Sequence, residues 1–325
     1  MIAKSLLVCG VMACAMGPVV AGQEDAHGYP QKVVKVVVPT GPGGPTDILA
    51  RIIADRLQTA LKKSVIIENI PAGGGIVAAR SVARATPDGH TLLFGNTSIF
   101  SIIPATAKDP GYDPHQHFVP VAMVANAFQV LVVQPAYPAK SVRDLIARAK
   151  AEPGRINYGA VYGALPHLAG ELLKSRAGLD IVHVPYKTEP ETLTGILGKQ
   201  IELSFPNVVT ALPLVRQGTL RALAITSAVR RAELPDVPTM IESGVADYVA
   251  TSFFGVAAPA GTPMPIVAKL NSAINQTLAS GEVQASLAKF GAAASAGTPL
   301  DFTTFIATER QKWTAVGASA GIKID

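Results

Sequence analysis

The sequence has almost no cysteine. Its only two, Cys9 and Cys14, lie within the first 21 residues. That segment resembles a secretory signal, because Lys4 precedes an apolar run and Val19-Val20-Ala21 offers the small residues that signal peptidase reads. We predict a signal peptide at residues 1–21 and a periplasmic mature chain, in which disulfide and thiol chemistry are excluded. A lipoprotein anchored at Cys14 is the alternative that the sequence leaves open.

Charge is also scarce. Only 16% of the residues are charged, and the net charge of +5 is scattered, with no Lys and Arg run interleaved with aromatic residues. Nucleic-acid binding is therefore not expected. After the signal, no segment approaches the roughly 20 apolar residues that span a bilayer, so we expect a soluble mature protein. With 325 residues, 49% of them hydrophobic, the chain can bury the cores of two domains.

Motifs for cofactors, metals and catalysis are missing or out of context. Thr46 replaces the third glycine of a dinucleotide fingerprint, and no phosphate-binding P-loop follows a strand. Residues 317–321 fit the G-x-S-x-G pattern, but no strand precedes them and no histidine follows. His115 and His117 lack the cysteines or clustered acids of a metal site, which favours a solvated loop. We predict no enzyme activity, cofactor or metal; a secreted α/β enzyme acting on a small acid is the alternative.

The strongest positive signal is a β-branched run at residues 33–38, followed by a glycine-rich turn at 40–47 and an apolar helical pattern. This order predicts a buried strand, a tight turn and a helix with Pro45 at its first position. Backbone N–H groups of Gly43, Gly44, Thr46 and Asp47 would converge at the positive end of the helix dipole. The turn is therefore predicted to bind an anion.

Two further strands, at residues 64–68 and 91–94, also end in small or polar residues, at 69–75 and 95–98. Strand ends of a parallel sheet share one crevice, which strengthens the prediction of a ligand site. Strands and helices alternate again between residues 129 and 226, which predicts a second doubly wound unit. After a strand at 253–258, three helices follow at 263–278, 282–290 and 299–320, with no strand predicted between them. We expect these helices to cover the first sheet.

The predicted fold is α/β, with two doubly wound domains joined by two crossovers and a ligand cleft between them, as in hinged solute-binding proteins. The first domain takes residues 22–124 and 253–325, and the second takes residues 125–252. The signal peptide precedes both.

Many short motifs, in a fixed order from Tyr29-Pro30 to Trp313, resemble the periplasmic receptors of tripartite tricarboxylate transporters, known as Bug or TctC-like proteins. The motifs are Val38-Pro39, Pro42-Gly43-Gly44, Glu68-Asn69, Gly73-Gly74-Gly75, Pro87-Asp88-Gly89-His90, Tyr112-Asp113-Pro114, His167-Leu168-Ala169-Gly170, His183-Val184-Pro185-Tyr186-Lys187, Leu234-Pro235-Asp236-Val237-Pro238 and Ala258-Pro259-Ala260-Gly261. The resemblance implies a flytrap receptor that binds a small organic acid, aromatic or dicarboxylic among the options, and delivers it to a membrane permease. A sensor kinase is the alternative partner, and a monomer is expected.

Three departures from the family pattern affect the predicted site. Thr40-Gly41 replaces a bulky residue and an alanine, and the loop at 159–166 lacks the usual serines. Pro206 stands where an acidic residue often follows the strand that ends at Phe205. An ammonium group would need such a carboxylate, so an aromatic or apolar ligand body is favoured over an amino acid. The sequence does not identify the ligand, the permease, or transport as against sensing.

The predicted ligand-binding residues lie in the strand-end loops of both units. They are Thr40, Gly41, Gly43, Gly44, Gly74, Gly75, Asn96, Thr97, Ser98, Tyr158, Ala160, Tyr162, His167, Pro206 and Asn207. Asp47 is predicted to cap its own helix, because a carboxylate would oppose an anion. His167 and Glu171, four residues apart on one helix, are predicted to be structural and to fix the start of that helix near the ligand.

Overall fold

The computed structural model describes residues 28–319, and the predicted signal peptide and both cysteines lie outside this range. The strands are β1 Val34–Val38, β2 Val65–Asn69, β3 Thr91–Asn96, β4 Phe118–Phe128, β5 Val130–Val133, β6 Asn157–Val161, β7 Val182–Tyr186, β8 Leu203–Ser204, β9 Arg221–Ile225, β10 Thr251–Pro259 and β11 Ala293–Ala294. Within the described range, no helix has the length and apolar character needed to cross a membrane.

Eleven α-helices are present in residues 28–319. They are α1 Pro45–Leu61, α2 Ile76–Ala83, α3 Ile103–Thr106, α4 Pro114–His117, α5 Val142–Ala151, α6 Leu165–Ala177, α7 Glu189–Leu197, α8 Val208–Arg216, α9 Met264–Ala279, α10 Gly281–Lys289 and α11 Pro299–Ser319. His115 and His117 therefore lie in a one-turn helix that Asp113 caps, and the predicted loop was wrong at this point. Pro114, with its fixed φ, starts this turn.

The strands form two separate sheets. The first has the order β11-β4-β10-β3-β1-β2, and the second has the order β7-β6-β8-β5-β9. In the first sheet β1 pairs in parallel with both β2 and β3, so the three predicted strand ends reach one edge. The chain passes to the second sheet after β4 and returns at β10, which gives two crossings. The predicted pair of α/β lobes is confirmed.

One element of the carboxyl-terminal region differs from the prediction. Ala293–Ala294 forms β11, which pairs antiparallel with Asn126 and Ala125 of β4, so the expectation of helices alone was wrong. Two alanines have no β-branched side chain and show no alternation of apolar and polar residues. They form a strand only because the edge of β4 is available for pairing.

The last helix contacts the cores of both lobes. Phe302 and Ile306, near its start, are buried in a core cluster of the first lobe with Phe100 and Phe253. Trp313, further along, is fully buried in a core cluster made up mostly of second-lobe residues. The start of α11 packs against the first lobe, as expected. Its end packs into the second lobe, which the expectation did not include.

Candidate functional site

A cleft between the lobes contains two adjoining chambers. The inner chamber has a volume of about 80 Å³, and the outer has about 650 Å³. Strand-end loops of both lobes line the inner chamber, and the two chambers share Pro71, Gly74, Val161 and Lys187. The lobes touch beside it, because the Leu165 N–H donates to Ser98 Oγ across 3.2 Å. The inner chamber is therefore bounded by both halves of the protein.

Asp47 organises the turn between β1 and α1. Its carboxylate accepts hydrogen bonds from the Gly43 N–H at 2.9 Å, from Asn69 Nδ2 at 2.9 Å and from the Arg51 side chain at 3.0 Å. Gly43 has φ +76°, a left-handed conformation that suits glycine. Asp47 is the third residue of α1 and not its cap, because Gly44 is the N-cap residue. The carboxylate therefore closes the turn from inside the helix.

This arrangement corrects two predictions about donors. The Gly43 N–H is held by Asp47, and the Gly44 N–H donates to the Gly41 carbonyl at 3.3 Å, so neither is free for an anion. The first intrahelical bond runs from the Ile48 N–H to the Gly44 carbonyl. The N–H groups of Thr46 and Asp47 thus have no intrahelical acceptor, and Thr46 lines the inner chamber. The prediction of an anion-binding helix start stands on these later residues.

Removing the Asp47 carboxylate should destabilise the protein. Asp47→Ala removes the acceptor of the part-buried Gly43 N–H and one of the two acceptors of the Asn69 amide, which we expect to cost about 1–3 kcal/mol in urea unfolding. The control is Asp55→Ala, at an exposed position of the same helix, which should change stability by less than about 0.5 kcal/mol. Equal effects of the two substitutions would contradict a structural role for Asp47.

The pKa of Asp47 gives this contribution a pH dependence. Burial by itself raises the pKa, but hydrogen bonds from Arg51, the Gly43 N–H and Asn69 outweigh it and hold the pKa below its usual value. The carboxylate is thus stabilised in the folded state. Its contribution is present above the unfolded pKa and is lost as the pH falls through the lower folded pKa.

Two buried polar atoms of the inner chamber lack a partner. Thr40 Oγ1 and Gln129 Oε1 are both buried and make no hydrogen bond within the described part of the chain. Both residues line the inner chamber. A buried polar atom without a partner costs about 1–3 kcal/mol, so a ligand or water is expected to complete these two.

Ser252, in β10, is hydrogen-bonded to two other residues that line the inner chamber. Its Oγ accepts from Asn207 Nδ2 at 2.7 Å and from Gln129 Nε2 at 3.2 Å. A hydroxyl with two donors bound to its oxygen keeps its own hydrogen for another acceptor. Ser252 is buried and lines the chamber, so its hydroxyl hydrogen is available to an acceptor there.

Glu189, the first residue of α7, lines the same chamber. Its Oε1 accepts from the N–H of Asn207, the residue after Pro206, and from the Thr210 hydroxyl. The inference that the site lacks a carboxylate because position 206 is proline was therefore wrong. The preference for an apolar ligand body can no longer be based on the absence of a carboxylate, and it stays a prediction. Sequence could not show that α7 brings a carboxyl to the residue that follows Pro206.

Several predicted residues line the chamber but use their side chains within the protein. Thr97 Oγ1 accepts from the Phe253 N–H at 2.8 Å, and Asn96 Nδ2 donates to Thr46 Oγ1 at 3.0 Å. Asn207 Oδ1 accepts from the Val209 N–H at 3.1 Å and so caps α8. These side chains build the walls of the chamber.

A cluster of aromatic and histidine rings lies beside the cleft. The ring centroids of His167 and His183 are 4.1 Å apart, and Tyr158 and Tyr162 pack against them. His167 Nδ1 accepts from the Gly163 N–H at 3.3 Å, which holds the turn before α6 in line with the predicted structural role. Burial and the neighbouring His183 lower the pKa of His167 to about 4, so it is neutral at pH 7.

Glu171 is bonded within the same cluster. Its Oε1 accepts from the Tyr158 hydroxyl at 2.5 Å and from Lys174 Nζ at 2.9 Å. Glu171 therefore anchors α6 to β6 and does not reach either chamber, in line with its predicted structural role.

The structure divides the predicted ligand-binding residues into three groups. Lining the inner chamber are Thr40, Gly41, Gly44, Gly74, Asn96, Thr97, Ser98 and Asn207. Tyr162 lines the outer chamber, and lining neither are Gly43, Gly75, Tyr158, Ala160, His167 and Pro206. Gly75 has a packing role, since a Cβ there would lie 2.7 Å from the Pro39 carbonyl oxygen.

Sequence reasoning missed Gln129, Lys187, Thr188, Glu189 and Ser252 of the inner chamber. Gln129 and Ser252 are polar residues inside the apolar runs at the two crossings, and this interruption is a usable signal. The other three lie between the end of β7 and the first residue of α7, and no local sequence pattern marks their side chains as facing the cleft.

Two α/β lobes, two crossings and a cleft lined by strand-end loops define a two-lobed solute-binding protein. Residues 49–322 match the family model of the tripartite tricarboxylate transporter family receptor. The chain belongs to this family of solute-binding receptors, which confirms the resemblance seen in its motifs.

Individual relatives agree with this assignment. BugT of Bordetella pertussis is 35% identical over 327 residues, covering 99% of this chain and 98% of BugT. Rpa4515 of R. palustris with adipate superposes with a TM-score of 0.88 at 36% identity, covering 91% of this chain and 99% of that one. MatC of Rhodopseudomonas palustris with bound malate superposes with a TM-score of 0.85 at 30% identity, covering 89% of this chain and 99% of that one.

Proposed function

We propose that this protein captures a small organic acid in the periplasm and delivers it to a membrane permease of the tripartite tricarboxylate type. The inner chamber carries this proposal. It is lined by the start of α1 and by Thr40 and Ser252, whose hydroxyl groups can donate to a bound acid. The relatives that bind adipate and malate support a carboxylate ligand.

The dimensions of the chambers favour a compact acid. A cavity of 80 Å³ corresponds to about five to eight water positions at roughly 10–15 Å³ each, which suits a carboxylate and a short chain. A longer or aromatic body would extend into the outer chamber, past Ile76, Ile103 and Tyr162. Among the described residues lining the two chambers, Lys187 is the only cation, and it is placed to meet a second carboxylate.

A thermal-shift screen of mono- and dicarboxylates tests the proposal. An acid at 100 times its Kd should stabilise the folded protein by about 2.7 kcal/mol. The amide of the same acid should give no shift, because it cannot accept hydrogen bonds from every donor in the chamber. Equal shifts with the acid and its amide would contradict carboxylate recognition, and product formation from the acid would favour the enzyme alternative.

The remaining expectations concern location, movement and partners. Receptors of this family are periplasmic, which supports export through residues 1–21. We propose that residues 22–124 with 253–325 and residues 125–252 move as two units about the crossings. The protein is proposed to be a monomer that delivers its ligand to a permease. A sensor kinase is the alternative partner.

A further inference from the structure

Glu189 lines the inner chamber and uses only one of its carboxyl oxygens for hydrogen bonds within the described part of the protein. Its Oε1 takes both hydrogen bonds, at 3.2 Å from the Asn207 N–H and at short range from the Thr210 hydroxyl. Within residues 28–319, its Oε2 receives no hydrogen bond, and it is not among the buried atoms that lack a partner. Because Glu189 lines the chamber, this second oxygen is available to a ligand.

The charged groups around Glu189 do not neutralise it. Lys187 is exposed, two residues away on the same loop, and makes no ion pair with Glu189. On the facing loop of the first lobe, Asp47 is paired with Arg51, and α8 contributes Asn207 and Thr210, which do not titrate near neutral pH. Burial therefore raises the pKa of Glu189 to about 7, and the two hydrogen bonds offset this only in part.

An anionic ligand makes an ionised Glu189 still less favourable. Two carboxylates within a chamber of 80 Å³ repel each other at close range, where little water screens them. If Glu189 takes a proton from solvent, the repulsion is removed and Oε2 gains a hydrogen to donate. That hydrogen can then be donated to the carboxylate of the ligand or to another oxygen of the ligand.

We propose that Glu189 is a specificity-determining residue that recognises the ligand in its protonated form, donating from Oε2 to an oxygen of the bound acid. This rests on the proposed capture of a carboxylate. One proton is taken up from solvent with each anion bound above neutral pH. The site then selects acids with an acceptor at this position and disfavours amino acids, whose ammonium group would need an ionised partner.

The test compares the wild-type protein with Glu189→Gln, which imitates the protonated side chain. The probe is whichever of succinate, malate, adipate and benzoate gives the largest thermal shift, and titration calorimetry runs from pH 6 to pH 8.5 in two buffers of different ionisation enthalpy. Wild-type affinity should fall about 30-fold between pH 6 and pH 8.5, with uptake approaching one proton. The variant should bind within about threefold of wild type at pH 6 and show no pH dependence.

Two controls keep a change of fold apart from a change of recognition. Glu191→Gln, at an exposed position of the same helix, should keep the wild-type pH profile. In the absence of ligand, wild type should lose stability relative to Glu189→Gln as the pH rises from about 4.5 through about 7. A group whose pKa is higher in the folded state adds its full stabilisation below its unfolded-state pKa. That stabilisation is lost as the pH rises through the folded-state pKa.

Each remaining outcome is decisive. Wild-type binding without pH dependence would overturn the role of Glu189 and leave acid capture intact. Loss of affinity in Glu189→Gln at every pH would show that the carboxylate acts ionised, opposite a hydroxyl or ammonium group. If none of the four acids binds at any pH, the proposed function fails and this inference falls with it.

Discussion

Replacing Gly41 with alanine should weaken acid binding by at least tenfold while leaving the fold intact. A Cβ at Gly41 would lie 2.7 Å from Thr188 Cγ2, closer than such carbon atoms approach in real structures. Gly41 belongs to the loop after β1, and Thr188 precedes α7 on the opposite lobe, so the added methyl holds the lobes apart. The Gly41 φ lies outside the left-handed region, which means that alanine strains no backbone angle.

A second substitution can restore binding if this explanation is correct. Thr188→Ser removes the Cγ2 methyl and keeps the Oγ1 that accepts from the Glu191 N–H and caps α7. The double variant Gly41→Ala with Thr188→Ser should therefore recover most of the affinity, and calorimetry on the four proteins gives the coupling between the two positions. Small-angle scattering should show that Gly41→Ala fails to contract when saturating acid is added.

Gly43 offers an informative comparison. A Cβ there would have only Pro190 near it, at 3.9 Å, and Gly43 does not line the chamber. The expected effect of Gly43→Ala is on stability, through its positive φ, and not through a blocked site. If Gly41→Ala binds like wild type, or if Thr188→Ser gives no recovery, contact between these loops does not control closure.

Replacing Trp313 with alanine should lower the free energy of unfolding by about 3–5 kcal/mol, the largest effect on stability that we expect. Trp313 has no exposed surface, and its Nε1 donates to Glu309 Oε2 at 3.1 Å. The side chain belongs to the core of the second lobe, whereas α11 begins against the first sheet. The substitution thus opens a cavity and also loosens a tie between the lobes.

Urea unfolding with two further variants separates packing from other causes. Trp313→Phe retains most of the apolar volume and should cost clearly less than alanine. Leu300→Ala, on the same helix and 72% exposed, should cost less than about 0.5 kcal/mol. A cost below 1 kcal/mol for Trp313→Ala would mean that the end of α11 does not form part of the second core.

The sequence by itself determined the elements and their order, because these depend on neighbours along the chain. The β-branched run at residues 33–38 and Pro45 predicted a strand and a helix start, and the structure has β1 at Val34–Val38 and α1 beginning at Pro45. The repeated strand-to-helix turns identified the edge of the sheet at which the chamber forms. Apolar periodicity and turn chemistry are local properties, and local properties can be read from sequence.

Only the tertiary structure decided which donors of those turns remain unbonded next to the chamber. The turn after β1 contains the predicted donors, yet Asp47 occupies the Gly43 N–H, and the open donors lie further into α1. The Gly43 N–H is not free because the side chain of Asp47, four residues later, turns back towards it. The spacing of residues in the sequence does not reveal the direction of that side chain.

The chamber walls depend even more on distant contacts. Gln129 and Ser252 are 123 positions apart and share a hydrogen bond, and Glu189 reaches the Asn207 N–H from another helix. Likewise, β11 exists because β4 offers it an edge, and Trp313 is buried because α11 crosses to the second lobe. Such contacts arise from the packing of whole lobes, and no pattern of neighbouring residues contains them.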